Sequence, residues 1–328
     1  MMTQEYFQRS ILITGGTSGL GYECALSIAR QRPDYQVIVA SRSDPNNSAT
    51  SINKSLDQNN VEFARLDLSS LEKVRDFASE WQAASHPPIE TLVLNAALQL
   101  PGEIDYTVDG YEKTFGISHI GHALLLNLLR PHLADTARVV IVSSGTHDPE
   151  VKTGMPDAVY NTAEELAHPT AETSQNDGRQ RYTSAKLANV LYTYALHRRF
   201  AAINEKSSGK MRLTVVAFEP GLMPGTGLGR AMGPALNFLW LYVLPLLLPL
   251  LRLVVGGSVN TIKASGESLV WLSISSDIEG QSGVYYDGRE PIRSSKASYE
   301  KAKQEDLFMW TAKTLARDER EKSSFEWN

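Results

Sequence analysis

The chain has 328 residues, 42% of them hydrophobic and 21% charged, with one cysteine and a formal charge of −5. That composition excludes a disordered tail, a collagen-like repeat and a disulfide-stapled scaffold, and it leaves ample chain for a large core. With 32 Lys plus Arg against 37 Asp plus Glu, no surplus of positive charge is available to neutralise a phosphate backbone, so nucleic acid is not an expected partner.

Cys24 has no intramolecular disulfide partner, and no Cys/His group has zinc-site spacing, so a reducing compartment and no metal are expected. Residues 1–10 are polar and run straight into ILITGG, without the basic and then apolar order of a secretory leader. The expected location is the cytoplasm, or the cytosolic face of an internal membrane.

The first expected strand, Ser10–Thr14, leads into Thr14-Gly15-Gly16-Thr17-Ser18-Gly19-Leu20-Gly21 and an Ala-rich helix over 19–32. Glycine allows a sharp turn and lets backbone N–H groups and the helix N-terminus approach a pyrophosphate. A Gly-rich turn alone is weak evidence; its place between strand one and helix one strengthens it. The second strand, Gln36–Ser41, ends at Ser41 and Arg42, where an NAD site would offer Asp or Glu to the ribose 2′-hydroxyl. Arg42 can pair with a 2′-phosphate instead, which favours NADP(H) over NAD(H), although a solvated surface arginine would look the same.

A helix over 47–59 and a third strand, Val61–Leu66, bring the chain to Asp67, placed to accept from an adenine amino group or to cap the next helix, 70–84. A fourth strand, Thr91–Leu94, a helix over 109–134 and a fifth strand, Arg138–Ser143, follow. The last of these ends at Ser143 and Ser144, and a hydroxyl there can fix the orientation of a reacting oxygen.

After a polar stretch, 145–180, the helix over 181–204 opens with Tyr182-Thr183-Ser184-Ala185-Lys186. Tyr182 and Lys186 are four residues apart and share a face. An ammonium beside a phenol lowers its pKa, so Tyr182 can exchange a proton with a carbonyl or an alcohol near neutral pH. A sixth strand, Arg212–Ala217, a Gly/Pro-rich apolar stretch, 222–257, a helix over 258–275, a seventh strand, Val284–Tyr286, and a helix over 298–317 complete the chain.

This βαβ alternation predicts a Rossmann-type, doubly wound α/β fold: a parallel seven-stranded sheet with helices on both faces, in a single domain, 1–328. The stretches 145–180 and 222–257 follow strand carboxyl ends and read as substrate-side insertions. Within the second, Leu236–Leu251 (LNFLWLYVLPLLLPLL) has one polar side chain, Asn237, contains Pro245 and Pro249, and is shorter than the ~20 apolar residues of a membrane span. It reads either as apolar helices packed on the body or over a substrate pocket, or as a patch that dips into a membrane surface.

The glycine loop, the strand-end serines and Y-x-x-x-K, in this order, resemble the short-chain dehydrogenase/reductase family. The resemblance runs over nearly the whole chain through TGGTSGLG, LVLNAA, HIGHALL, VVIVSS, YTSAK and EPGLM. YTSAKLANVLYTYAL, the long insertion before Tyr182 and GVYYDG followed by LFMW are similar to the retinol-dehydrogenase and protochlorophyllide-reductase-like branch and its fungal biosynthetic relatives.

The resemblance implies that Gly15, Thr17, Ser18, Leu20 and Gly21 hold the pyrophosphate, Ser41 and Arg42 the 2′-phosphate, Asp67 and Leu68 the adenine, and Asn95 and Ala96 the adenosine ribose side. It makes Tyr182 the general acid/base, Lys186 the residue that binds the nicotinamide ribose and tunes Tyr182, and Ser144 the group that positions the substrate oxygen. Pro220, Gly221, Met223 and Thr226 line the nicotinamide carboxamide in the same scheme. The chain departs from the family pattern V-N-H-x-G-H, in which an Asn completes the catalytic tetrad, by placing Ser118 there. Serine has a shorter reach, and His119 beside it reads as structural. Leu94 and Ala97 also replace the first Asn and the Gly of N-N-A-G.

The expected function is an NADP(H)-dependent oxidoreductase that interconverts a ketone and a secondary alcohol on a bulky lipophilic substrate, in the reductive direction of a biosynthetic pathway. A non-redox isomerase or cyclase using Tyr182, favoured by Ser118, is the alternative, and a nucleotide-sensing membrane-surface protein a third reading. Family members commonly form dimers or tetramers through the helices corresponding to 109–134 and 181–204, so the resemblance implies a homodimer or homotetramer, whereas the apolar block 236–251 favours a monomer at a membrane instead.

Overall fold

The computed structural model describes residues 7–231, 233–255 and 259–327. Residues 1–6 of the polar N-terminal stretch and residues 232, 256 and 257 of the second insertion lie outside the described residues.

The strands are β1 Arg9–Thr14, β2 Tyr35–Ser41, β3 Val61–Arg65, β4 Ile89–Leu94, β5 Leu133–Val142, β6 Thr214–Glu219, β7 Val284–Asp287 and β8 Glu290–Ile292. They form one sheet in the order β3-β2-β1-β4-β5-β6-β7-β8. The first seven pair in parallel, and β8 closes the edge as an antiparallel hairpin with β7. The strand order reverses between β1 and β4, which opens a crevice at their carboxyl ends.

Both faces of the sheet are apolar, because each parallel strand is covered twice. Ile11, Ile13, Val37, Val39, Val93 and Val140 point to the side covered by helices Gly19–Gln31, Ser48–Leu56 and Ile262–Ile274. Leu12, Leu92 and Val139 point to the other side, under Leu71–Ala84, Gly121–Leu129 and Gly178–Lys206. Each buried Leu, Ile or Val stabilises the fold by about 1.5–3 kcal/mol relative to exposure.

Four differences from the sequence-based expectations have physical causes. The sheet has an eighth strand, Glu290–Ile292, because the Gly288 turn at φ +59 folds the chain back on β7. The helix expected over 109–134 stops early: Pro131 sits in a terminal 3-10 turn, Arg130–His132, and β5 starts at Leu133, paired with Ile89. The run before Leu129 is also interrupted by a π turn, Gly116–Ile120. Finally, the chain continues past 317 into a further helix, Glu319–Phe325, that seats Trp327 in the core with its indole N–H donating to Asn127.

That C-terminal region covers the two helices expected to meet a second copy. Lys301–Leu315 packs along Gly178–Lys206, where Arg199 pairs with Glu305 at 2.7 Å, and Arg130 donates to Ser324 of the last helix. The C-terminal helices thus pack against part of each of these two helices.

Candidate active site

The crevice at the β1/β4 switch point is a cavity of about 420 Å³. Its floor is the glycine loop. Gly15 (φ +67) would place a side chain against Asn95 and Ala96, and a Cβ on Gly21 would lie 2.5 Å from the Gly15 carbonyl oxygen. The loop can therefore close over the start of helix Gly19–Gln31 only with glycine at these positions. Thr14, at the end of β1, organises the loop from below: its Oγ1 accepts from the backbone N–H of Asn95 and Ala96 at 2.9 and 3.0 Å. Asn95 Nδ2 donates back to the Thr14 carbonyl at 2.8 Å, so β1 and β4 are stitched together where the crevice begins.

Gly15, Thr17, Ser18 and Leu20 line the cavity, as do Ser41, Arg42, Asp67, Leu68, Asn95 and Ala96 on its adenosine side. Thr17 Oγ1 donates to Ser41 Oγ at 3.1 Å and ties the loop to the end of β2. Arg42 is exposed at the rim and makes no hydrogen bond or ion pair with the described residues. Asp67 is already engaged: its carboxylate accepts from Ser69 at 2.6 Å and pairs with Lys73 at 3.1 Å. The cap of the following helix is Ser70, not Asp67.

At the other end the cavity reaches Tyr182, Lys186, Pro220, Met223 and Thr226. Tyr182 and Lys186 stand on one face of helix Gly178–Lys206, whose N-cap is Asp177. Ser143 Oγ donates to the Lys186 carbonyl at 2.8 Å and locks the helix against the end of β5. Lys186 is buried, and its Nζ donates to the Val142 carbonyl at 3.0 Å. Removal from water draws its pKa down to about 8, while Glu219 opposes the shift. Burial, then the charge of Glu219, pushes the Tyr182 phenol above its ordinary value, and a hydrogen bond with Ser144 pulls it back.

Four expected site residues lie outside the cavity wall. Gly21 and Gly221 sit behind it: the first allows the close approach of helix and loop, and the second, at φ +80, donates its N–H to Glu219 Oε1 at 2.9 Å. Ser144 is set one residue beyond the lining Ser143, with its Oγ accepting from Thr146 N at 3.3 Å and its side chain near enough to Tyr182 to lower the phenol's pKa. Ser118 is buried and does not line the crevice. Its hydroxyl has no hydrogen-bond partner among the described residues, its carbonyl is bonded to His122 Nδ1 at 3.1 Å, and the neighbouring Ile117 lines the wall.

Ser118 lies within the π turn Gly116–Ile120, an irregularity that sequence spacing could not show. His119 is structural, stacked on Phe115 and bonded to Thr311, and burial draws it down to about 3, so it is neutral. None of residues 145–180 lines the cavity, whereas Met223, Thr226, Gly227 and Leu228 of the second insertion do.

One buried acid escaped the sequence reading. Glu219 ends the fully buried strand β6, below the Ser144–Gly145 turn: a Cβ on Gly145 would lie 3.3 Å from its Oε2. Oε1 accepts from Gly221 N, and Oε2 accepts from the Tyr285 hydroxyl at 3.3 Å. The signal was an acid at the end of the apolar strand TVVAFE, immediately before Pro-Gly.

A dinucleotide fits this donor set. The glycine cradle leaves room for a pyrophosphate at a helix N-terminus, hydroxyls and a free guanidinium gather at one end, and the phenol and ammonium lie at the other. The fold and the crevice are those of a dinucleotide-binding α/β protein, and comparison with known proteins narrows this. The short chain dehydrogenase family model matches residues 9–163. Polyprenol dehydrogenase of Danio rerio is 31% identical over 309 residues, 90% of this chain and 83% of that protein. Retinol dehydrogenase 14 of Mus musculus is 30% identical over 292 residues, covering 85% and 77%. The WW domain-containing oxidoreductase of Danio rerio is 31% identical over 87% of this chain, which spans 63% of that longer protein. Among solved structures, an uncharacterised protein from Mycobacterium paratuberculosis superposes with a TM-score of 0.66 at 25% identity, covering 94% of this chain and 93% of its own. The chain belongs to the short-chain dehydrogenase family of oxidoreductases.

Proposed function

We propose that this protein is an NADP(H)-dependent reductase that converts a ketone on a bulky lipophilic molecule to a secondary alcohol, in a biosynthetic setting. The observation that carries the reading is the single cavity running from Arg42, past the glycine loop, to Tyr182 and Lys186. Bound NADPH supplies the hydride. The chain supplies everything else: Thr17, Ser18 and the loop N–H groups hold phosphate, Ser41 and Arg42 take the 2′-phosphate, and Pro220, Met223 and Thr226 border the nicotinamide end.

Ser144 and Tyr182 together orient the substrate oxygen, and the Tyr182 hydroxyl gives it a proton as negative charge develops there. Because burial and Glu219 hold the phenol above its ordinary pKa, Tyr182 is protonated at neutral pH, which is the form a reduction consumes. The phenolate left on Tyr182 is stabilised by the Lys186 ammonium, which the Val142 carbonyl holds in place, until a proton from solvent restores the phenol.

The substrate class follows from the apolar run Pro234–Leu251, of mean hydropathy 1.8 and 6% buried. Trp240 fastens it to the cavity loop: Trp240 Nε1 donates to the Thr226 carbonyl at 2.8 Å, and Gly225 N donates to the Trp240 carbonyl at 2.9 Å. The bridge between Leu222 and Val259 returns the chain to the point from which it left. Leu236, Phe238, Tyr242, Leu246 and Leu250 are exposed on this run, which supports a patch that rests in a membrane surface and receives substrate from it. The location that follows is the cytosolic face of an internal membrane. Polyprenol dehydrogenase and retinol dehydrogenase 14, by their names, act on lipophilic alcohols, which supports this class.

The test is incubation of wild type and Tyr182→Phe with a lipid extract of producing cells and NADPH deuterated at the transferable C4 position, read by mass spectrometry. Label in a lipophilic alcohol with wild type alone is the expected result. Conversion without label would replace the reading with an isomerase or cyclase.

A further inference from the structure

The turn that carries Ser144 is held by one ring. Ser144 caps the 3-10 turn Gly145–His147, and its Oγ accepts from Thr146 N at 3.3 Å. Its carbonyl is held twice by the same residue, at 3.1 Å by His147 N and at 2.7 Å by His147 Nδ1. On the far side of the ring, Nε2 accepts from the backbone N–H of Ser295 at 3.1 Å. An imidazole nitrogen that accepts carries no proton, so the proton is on Nδ1, which donates to the Ser144 carbonyl, and the ring is neutral with both nitrogens satisfied. Burial favours the same state, and the ring packs on Tyr285 with centroids 5.0 Å apart.

Ser295 belongs to a tightly bonded segment. Ser294 Oγ is bonded to the Tyr194 hydroxyl at 2.6 Å and to Ser298 Oγ at 2.7 Å, and Ser298 Oγ donates to the Ser295 carbonyl at 2.6 Å. Gln304 Nε2 donates to the Ser298 carbonyl at 2.6 Å, and the Tyr299 ring stacks on Tyr194. Tyr194 lies on helix Gly178–Lys206, about three turns beyond Tyr182. The turn that ends β5 and the helix that carries Tyr182 are therefore tied to one C-terminal segment, and His147 is the tie on the Ser144 side. Neither His147 nor Ser295 lines the nucleotide cavity.

We propose that His147 is a positioning residue of the active site. Its ring fixes the Ser144 carbonyl, and with it the place of the Ser144 hydroxyl beside Tyr182, by referring the turn to the segment that also grips the Tyr182 helix. The proposal rests on the reductase reading for its kinetic arm alone.

The two ring nitrogens can be replaced one at a time. His147→Asn sets an amide N–H near the place of Nδ1 and gives up Ser295, whereas His147→Gln sets an amide oxygen near the place of Nε2 and gives up the ring's bond to the Ser144 carbonyl. Ser295→Pro removes the other donor, and Ser295 has φ −57, which proline adopts. In the nucleotide-free protein the Thr146 amide reports on the Ser144 hydroxyl that it donates to. Its hydrogen exchange, read by NMR, should be about tenfold faster than wild type in His147→Gln and about threefold faster in His147→Asn and Ser295→Pro. With NADPH and decalone, a bicyclic ketone, kcat should fall about tenfold in His147→Gln, while KM and the NADPH dissociation constant stay within about twofold. His147→Asn should recover most of that loss. Wild-type Thr146 exchange in a folded His147→Gln protein overturns the proposal, as does a loss that falls on KM or NADPH affinity, or an Asn variant no better than Gln. If His147→Gln does not fold, Ser295→Pro carries the exchange test, and a Thr146 rate equal to wild type overturns the proposal equally. A wild type that reduces neither decalone nor any other lipophilic ketone overturns the reductase reading and leaves the exchange series to decide whether His147 holds the turn.

Discussion

The stretch after β5 is polar and the stretch after β6 is apolar, yet it is the polar one that the body absorbs. Asp306 Oδ2, on Lys301–Leu315, accepts from the Tyr160 hydroxyl at 2.7 Å and from Ala163 N at 2.8 Å. Val159 N donates to Ser184 Oγ at 2.9 Å, and Trp310 Nε1 to Glu164 at 2.7 Å. Residues 145–180 thus brace the helix that carries Tyr182 by a set of specific bonds. In the apolar run the order is inverted. Leu246 is 79% exposed and Phe238 60%, while one indole and a few backbone groups hold the run to the cavity loop. A large exposed apolar surface has to be matched by something other than water, which is why the lipid reading is attached to this segment and not to its polar counterpart.

Four substitutions sharpen or break that contrast. Gly178→Ala drives a methyl into the Leu100 carbonyl at the start of the Tyr182 helix, and denaturant unfolding should show a loss on the order of 3 kcal/mol. Asp306→Ala unties the polar insertion and should cost about 2 kcal/mol in the same assay. A wild-type midpoint for Asp306→Ala would mean that the insertion does not brace the body. Trp240→Ala removes the anchor of the apolar run and should weaken NADPH binding about fivefold, close to 1 kcal/mol, by freeing the Thr226 turn. Smallest in stability is Leu246→Ser combined with Leu250→Ser, within about 0.5 kcal/mol of wild type. The same double variant should nevertheless lose sedimentation with phosphatidylcholine vesicles. A large drop in its unfolding midpoint would mean that the run is packed as a core helix, and the contrast would fail.

Much of the site was legible because it is local in sequence. The glycine loop is one turn, and Tyr182 and Lys186 are one helical turn apart, so neither depends on tertiary detail. The doubly wound sheet was legible from apolar runs covered on both faces, with seven of its strands in place and β8 missed as a three-residue edge. What depended on long-range register was not. Ser118 was read by its place in a family pattern; it lies in a π turn with its hydroxyl buried and unpartnered among the described residues, a setting that sequence spacing does not show. Glu219 was passed over because the meaning of an acid at a strand end depends on what lies across the sheet, here the Ser144–Gly145 turn and Tyr285. The docking of the C-terminal helices against Gly178–Lys206 was likewise not legible, because no local pattern shows it.

The central claim is that Tyr182 supplies the proton in a nucleotide-dependent reduction, and it is tested most directly by NADPH consumption with a panel of lipophilic ketones, for wild type and Tyr182→Phe, alongside NADPH dissociation constants. The account predicts a fall in turnover of about 10²–10⁴-fold with nucleotide affinity unchanged. Turnover within a few-fold of wild type in Tyr182→Phe would contradict it.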